Sequence, residues 1–254
     1  ETQIKSRKEE RAIKTKRRFL SILLALCLTL TFAPSMAFAA GGEASADGTE
    51  YATLKEALEA GGNVKLLRDV EVDSIITITK PTVLDLGDYT ITNKVETDRP
   101  FYVDTDSFRV TADKGGMVIP EENDASYGFI NVVNTANFSL SGGTYTGNTD
   151  NGSFFRLHGG ASGAQITIDN VTATTNSEVF YTADTLDTVN VQVTGGTYTV
   201  GTRAFLIDVF DCEDSPIVFN GVTITADRGP CIELSGGNSV FTDCMFTVTG
   251  NFTG

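Results

Sequence analysis

The sequence predicts an all-β chain, a single-stranded right-handed parallel β-helix (a solenoid) with a short N-terminal capping helix. Three observations predict it. First, one phrase recurs: an apolar residue, three turn-prone positions, then Thr, an apolar residue and Thr. It reads Leu86-Gly87-Asp88-Tyr89-Thr90-Ile91-Thr92, and again from Leu140 to Thr146, Val193 to Thr199 and Phe219 to Thr225. Second, the first Thr of the phrase, or its equivalent, falls at Thr90, Met117, Thr144, Thr172, Thr197, Thr223 and Met245. The spacings are 27, 27, 28, 25, 26 and 22 residues, a period that one coil of a solenoid would supply. Third, a second apolar segment lies between markers: Phe101-Tyr102-Val103, Phe129-Ile130, Phe155-Arg156-Leu157, Phe180-Tyr181-Thr182, Phe205-Leu206-Ile207 and Ile232-Glu233-Leu234. Strands this short, rich in Thr, Val, Ile and Phe and broken by Gly, Asn, Asp and Ser, suit stacked coils. An antiparallel sandwich would want hairpin turns and longer alternating strands.

Residues 1–39 read as a signal peptide with a basic leader. Lys14, Lys16, Arg17 and Arg18 form the positive region, and Phe19 to Phe32 an apolar run of 14 residues. Pro34 and the small-residue pattern Ala37-Phe38-Ala39 follow. That layout directs export and cleavage near Ala39, and the run is too short for a final membrane anchor. Cys27 lies within it. Residues 40–50 read as a flexible linker, and 51–254 as the β-helix domain. Tyr51 to Ala60 spaces Leu54, Ala57 and Leu58 on one helical face, and Gly61-Gly62 stops the helix. This helix is expected to cover the first coil, with β structure starting at Val64-Lys65-Leu66-Leu67. No matching cap is evident near Asn251-Phe252-Thr253-Gly254, so further C-terminal repeats or domains are expected.

Coils stack about 4.8 Å apart. Phe101, Phe129, Phe155, Phe180 and Phe205, continued by Ile232, are therefore expected to form one inward column, each side chain contributing roughly 1.5–3 kcal/mol on burial.

Charge narrows the partners. The chain has 33 acidic and 19 basic side chains, a net of −14. Residues 1–39 take three of the acidic and eight of the basic groups, leaving 30 and 11, a net of −19 for the rest. Such a body repels phosphate backbones and anionic lipid, which disfavours nucleic acid as a partner. Downstream of the leader, Cys212, Cys231 and Cys244 are an odd set, so they cannot all pair within the chain. They read as small buried hydrophobes, with a Cys231–Cys244 bridge as the one alternative.

The stretch Thr82-Val83-Leu84-Asp85-Leu86-Gly87-Asp88-Tyr89-Thr90-Ile91-Thr92 resembles the opening coil of secreted bacterial right-handed β-helix proteins of the pectate-lyase-like superfamily. There a Leu-Asp-Leu-Asn-Gly-x-Thr-Ile-Thr phrase is frequent, and Gly87-Asp88 here replaces the Asn-Gly. The resemblance covers about residues 51–254. It implies the fold and an exported, cell-surface location, but no single activity, because that superfamily holds lyases, hydrolases, adhesins and stalks.

If the Phe column faces inward, Tyr102, Arg156, Tyr181, Leu206 and Glu233 face outward on the same strip. Tyr102, Arg156, Tyr181 and Glu233 are the candidate ligand-binding residues, since aromatic rings beside an Arg and a carboxylate stack on sugar rings and bond their hydroxyls. Glycans or other host or cell-surface molecules are the expected partners. A catalytic alternative, a polysaccharide lyase or glycoside hydrolase, would use Asp208 and Glu233 as paired carboxyls with Arg156. Asp208, Asp211, Glu213 and Asp214 are the one cluster that would suit a calcium ion; no other cofactor is expected. His158, the only His, reads either as a general base or as a turn residue beside Gly159-Gly160. Gly159 to Gly163 leads into a strand, not the helix that a nucleotide loop requires. Spacings held between 22 and 28 residues leave little room for a cleft-building insertion, which favours a non-catalytic adhesion or glycan-contact module.

Overall fold

The structure, a computed structural model, describes residues 41–96, 98–123, 127–149, 152–210 and 213–250. The expected signal peptide with Cys27, Asp211, Cys212 and the segment Asn251 to Gly254 lie outside the described residues. No helix among the described residues is long and apolar enough to cross a membrane.

The chain is a parallel β-solenoid of about six turns. Each turn contributes one strand to each of three sheets. In one turn these are Thr82–Gly87 in the first sheet, Thr90–Asn93 in the second and Phe101–Asp104 in the third. The first sheet has ten strands, the second eight and the third seven. Strands alternate buried and partly exposed residues, as at Thr82–Gly87, because successive side chains on a pleated strand point to opposite faces. Val83 aside, the apolar members of that strand, Leu84 and Leu86, are wholly buried.

Register fixes the inward columns. Ile76, Phe101, Ile130, Phe155, Phe180, Phe205 and Ile232 follow one another rung by rung on the third sheet. Phe129 is therefore not a member of this column. It sits one residue earlier, at the corner, where its amide donates to the Phe154 carbonyl at 2.8 Å and its ring lies 4.7 Å from that of Phe154. A second inward column, Phe129, Phe154, Val179 and Ala204, fills this corner, each residue at most 1% exposed. Met117 also moves by one. Gly116 stands opposite Thr90 and Thr144, since a Cβ there would meet the Thr144 carbonyl oxygen; Met117 faces inward between Ile91 and Tyr145.

The phrase Gly-Gly-Thr-Tyr-Thr occurs twice for a steric reason. Both Gly195 and Gly196 have positive φ, at 60° and 88°, backbone that a Cβ disfavours. A Cβ on Gly196 would lie 3.0 Å from the Tyr198 hydroxyl. The glycine turn thus leaves room for the phenol end of a tyrosine whose ring is buried in the core. The threonines on either side face outward. Thr144, Thr172, Thr197 and Thr223 form one column, and Thr146, Thr174, Thr199 and Thr225 the next.

At the N-terminal end the expected helix forms over Leu54–Ala60, with Leu54, Ala57 and Leu58 buried. Thr53 caps it in a capping box with Glu56, which satisfies two orphan donors of the first turn. Within the stretch expected to be a linker, residues 44–50 are ordered into strands and a turn. Ala44–Ala46 and Thr49–Tyr51 form a hairpin whose inner strand pairs antiparallel with Gly62–Leu66. Asp47 and Gly48 make its tight turn, both at positive φ, and Ala44 and Ala46 are buried. Three-residue strands with no apolar run, Ala-Ser-Ala and Thr-Glu-Tyr, left little pattern to read, yet they occupy the sheet edge that the first coil would otherwise expose. Cys231 and Cys244 are free thiols, so the bridge between them does not form. In the last coil, Val240, Phe241, Met245, Phe246 and Val248 are 39% to 58% exposed.

Candidate functional site

The third sheet presents an outward strip. Tyr102, Asn131, Arg156, Tyr181, Leu206 and Glu233 occupy successive rungs, so the four expected ligand-contact residues do share one face. They are not equivalent. The Tyr102 hydroxyl donates to Asp98 Oδ2 at 2.7 Å. Burial first, and then that bond, raise its pKa. Glu233 accepts from Arg203 at 2.7 Å. Arg156 and Tyr181 stand on adjacent rungs, half-buried, in the middle of the strip.

Register also places the residues of the catalytic alternative. Arg156 is three rungs from Glu233, roughly 14 Å at the spacing of parallel strands, with Tyr181 and Leu206 between. Asp208 faces outward on the strand beside that of Glu233, but opposite Ser235, a diagonal relation of roughly 7–8 Å between backbones. Each carboxylate is engaged. Asp208 accepts the Thr185 hydroxyl at 2.9 Å, and Glu233 is bound to Arg203. Of the four carboxylates weighed for calcium, Asp211 lies outside the described residues, and Glu213 and Asp214 sit in an exposed turn. Among the described residues no three His, Cys, Asp or Glu side chains come together to hold a metal.

His158 precedes the short turn Gly159–Ala161. Its Nε2 lies 2.8 Å from Asn131 Oδ1, and its Nδ1 3.7 Å from Asp184. Burial, and then the neighbouring Arg156, hold its pKa below the usual imidazole value. The ring is thus pushed toward its neutral form and held by Asn131 through Nε2.

Beside the strip, where strands enter the third sheet, lies a cleft of about 450 Å³ lined by Arg99, Gly152, Ser153, Arg156, Ser177, Glu178, Tyr181 and Arg203. Its walls come from one repeated position. Arg99, Gly128, Ser153, Glu178 and Arg203 each stand two residues before the rung of Phe101, Ile130, Phe155, Phe180 and Phe205. Arg203 is held between Glu178 at 3.2 Å and Glu233 at 2.7 Å. The Arg99 guanidinium, 2% exposed, reaches across the intervening coil to the Ser153 carbonyl, at 2.9 and 3.2 Å. Gly128 occupies that coil, and a Cβ on it would meet the same carbonyl oxygen. Burial first, and then Arg156, lower the Arg99 pKa to about 10, so it stays charged at neutral pH. Arg156 Nε and Arg203 Nε are buried with no hydrogen-bond partner among the described residues.

The strip was legible from the repeat; the cleft was not. Arg99, Glu178 and Arg203 precede the apolar triplets, outside the segment that aligns by hydrophobicity. The signal was nonetheless present: Arg99-Pro100-Phe101, Glu178-Val179-Phe180 and Arg203-Ala204-Phe205 place a charged residue at one fixed offset. Compared with protein-family models, with curated proteins and with solved structures, the chain finds no match in any of the three.

Proposed function

We propose that the chain is a non-catalytic adhesion or glycan-contact module, exported to a bacterial cell surface and built on the pectate-lyase-like pattern. The observation that carries this reading is the outward strip of the third sheet, where Arg156 and Tyr181 stand side by side over a cleft. A ring face beside a guanidinium fork is a sugar-recognition pairing. Regular coils support the non-catalytic part. The longest connection between successive described strands runs over only 11 residues, 119–129. The separation of Arg156 from Glu233, and the engagement of both Asp208 and Glu233 by neighbours, weigh in the same direction. Export is supported by the basic, apolar and small-residue order of residues 14–39.

A glycan array probed with the secreted protein tests contact, and Tyr181→Ala should remove the signal. Incubation with polygalacturonate and neutral polysaccharides tests catalysis. Chain cleavage that disappears in Asp208→Ala would replace this reading with that of a carbohydrate-active enzyme.

A further inference from the structure

We infer that the cleft between Arg99, Arg156 and Arg203 is a site for one oxyanion, the carboxylate or sulfate of an acidic sugar unit in an otherwise uncharged glycan. The inference rests on the glycan-contact reading and names the ligand class of that site.

Charge geography is the first argument. Downstream of residue 39 the chain has only 11 cations against 30 carboxylates, yet three of those cations line one cleft with a single carboxylate, Glu178. Glu178 and Glu233 are both committed to Arg203. No carboxylate among the described residues forms an ion pair with Arg99 or Arg156, and Asp98 is bound by the Tyr102 hydroxyl and the Arg99 amide. The Asp98 carboxylate offsets part of the Arg99 charge, and the Arg156 guanidinium faces the cleft with no ion-pair partner among the described residues.

Burial is the second argument. A cation taken out of water without a counter-charge is costly to hold, and an apolar residue would fill the Arg99 position more cheaply. Arg99 spends only part of its donor set on Ser153. The shielded Nε of Arg156 and that of Arg203 have no partner among the described residues. Guanidinium forks match both planar carboxylates and tetrahedral sulfates in paired hydrogen bonds.

The ligand's sparse charge follows from the surroundings. A net of −19 on the body repels any densely charged polymer over a distance of about 8 Å at physiological salt. The cleft reverses that sign only locally. Its volume of about 450 Å³ falls in the range of small-ligand pockets, and Tyr181 on the rung next to Arg156 offers a face to the sugar ring.

The single histidine supplies a clean readout. The intact chain is titrated with methyl β-D-glucuronide, glucose 6-sulfate, inorganic sulfate and neutral methyl β-D-glucoside, followed by calorimetry and by the His158 ring signals. The two charged sugars should bind at least about tenfold more tightly than the neutral one, a margin equal to one charge-assisted hydrogen bond. Their binding should weaken with salt, and should raise the His158 titration midpoint by offsetting Arg156. Arg156→Gln, on the half-buried strip, should erase that margin between charged and neutral sugars, and Arg99→Gln should do the same. Equal binding of charged and neutral sugars overturns the inference and leaves glycan contact standing. Sulfate binding as tightly as the sugars overturns it as a sugar site. No binding by any probe, with no array signal, overturns both readings.

Discussion

Replacing Tyr145 or Tyr198 with Phe should stabilise the solenoid. Both rings are fully buried, and neither hydroxyl has a hydrogen-bond partner among the described residues. Burial drives both phenol pKa values well above the ordinary value, which reflects the same cost of removing the oxygen from water. A hydroxyl buried without a partner costs about 1–3 kcal/mol by mutational measures. Phe keeps the ring and its edge contacts, which for Tyr198 include Phe205 with centroids 5.1 Å apart. Each substitution should therefore gain about 1–3 kcal/mol, or roughly 2–12 °C in Tm for a domain of this size. The two tyrosines lie two coils apart, roughly 10 Å, so their gains should add. Urea and thermal unfolding of the two single variants and the double variant measure this. A loss of stability in either single variant would refute the reasoning, because it would mean that the hydroxyl is bonded in solution.

Phe205→Ala should lose about 3–5 kcal/mol, since its ring touches those of Tyr198, Phe219 and Phe180 at 5.1, 5.1 and 6.2 Å; a urea midpoint shift checks this. Gly196→Ala should destabilise by more than about 1 kcal/mol, because the site holds φ at 88° and an added Cβ would lie 2.5 Å from the Val171 carbonyl oxygen. His158 is held below the ordinary imidazole value of 6.5, so between its lowered midpoint and 6.5 the unfolded chain binds a proton that the folded chain does not. Stability should rise with pH across that window and be fully present above it. His158→Gln should flatten this part of the curve, and an unchanged slope in denaturation midpoints would assign it to another group.

Period and composition made the solenoid readable, because coils that stack must repeat their inward residues. What they could not supply was register to a single residue. Phe129 and Ile130 are both apolar, and hydrophobicity alone does not say which one stands on the rung; hydrogen bonding to Phe154 decides it. Gly116 takes a threonine's place because another strand's backbone leaves no room for a side chain, a contact between residues 28 apart in sequence. The hairpin at 44–51 was hidden for a different reason. It is stabilised by an edge to pair with more than by any apolar alternation of its own. At the candidate site, Arg156 and Tyr181 were evident as outward members of an alternating strand. Arg99 was not, since a buried cation obeys no hydrophobic pattern, and only its partner two coils away explains its position.

The two outward threonine columns repeat with the coils, so an extended polymer lying along the solenoid axis meets the same pair of hydroxyls every 4.8 Å or so, at about the interstrand spacing. Displaced by one coil, it meets nearly the same set again. A polymer held there would have many equivalent alignments open to it, which would lessen the ordering entropy lost on capture and would allow lengthwise slippage without release. Its hold would grow with the length of overlap, and loss of one threonine pair would leave the neighbouring alignments intact.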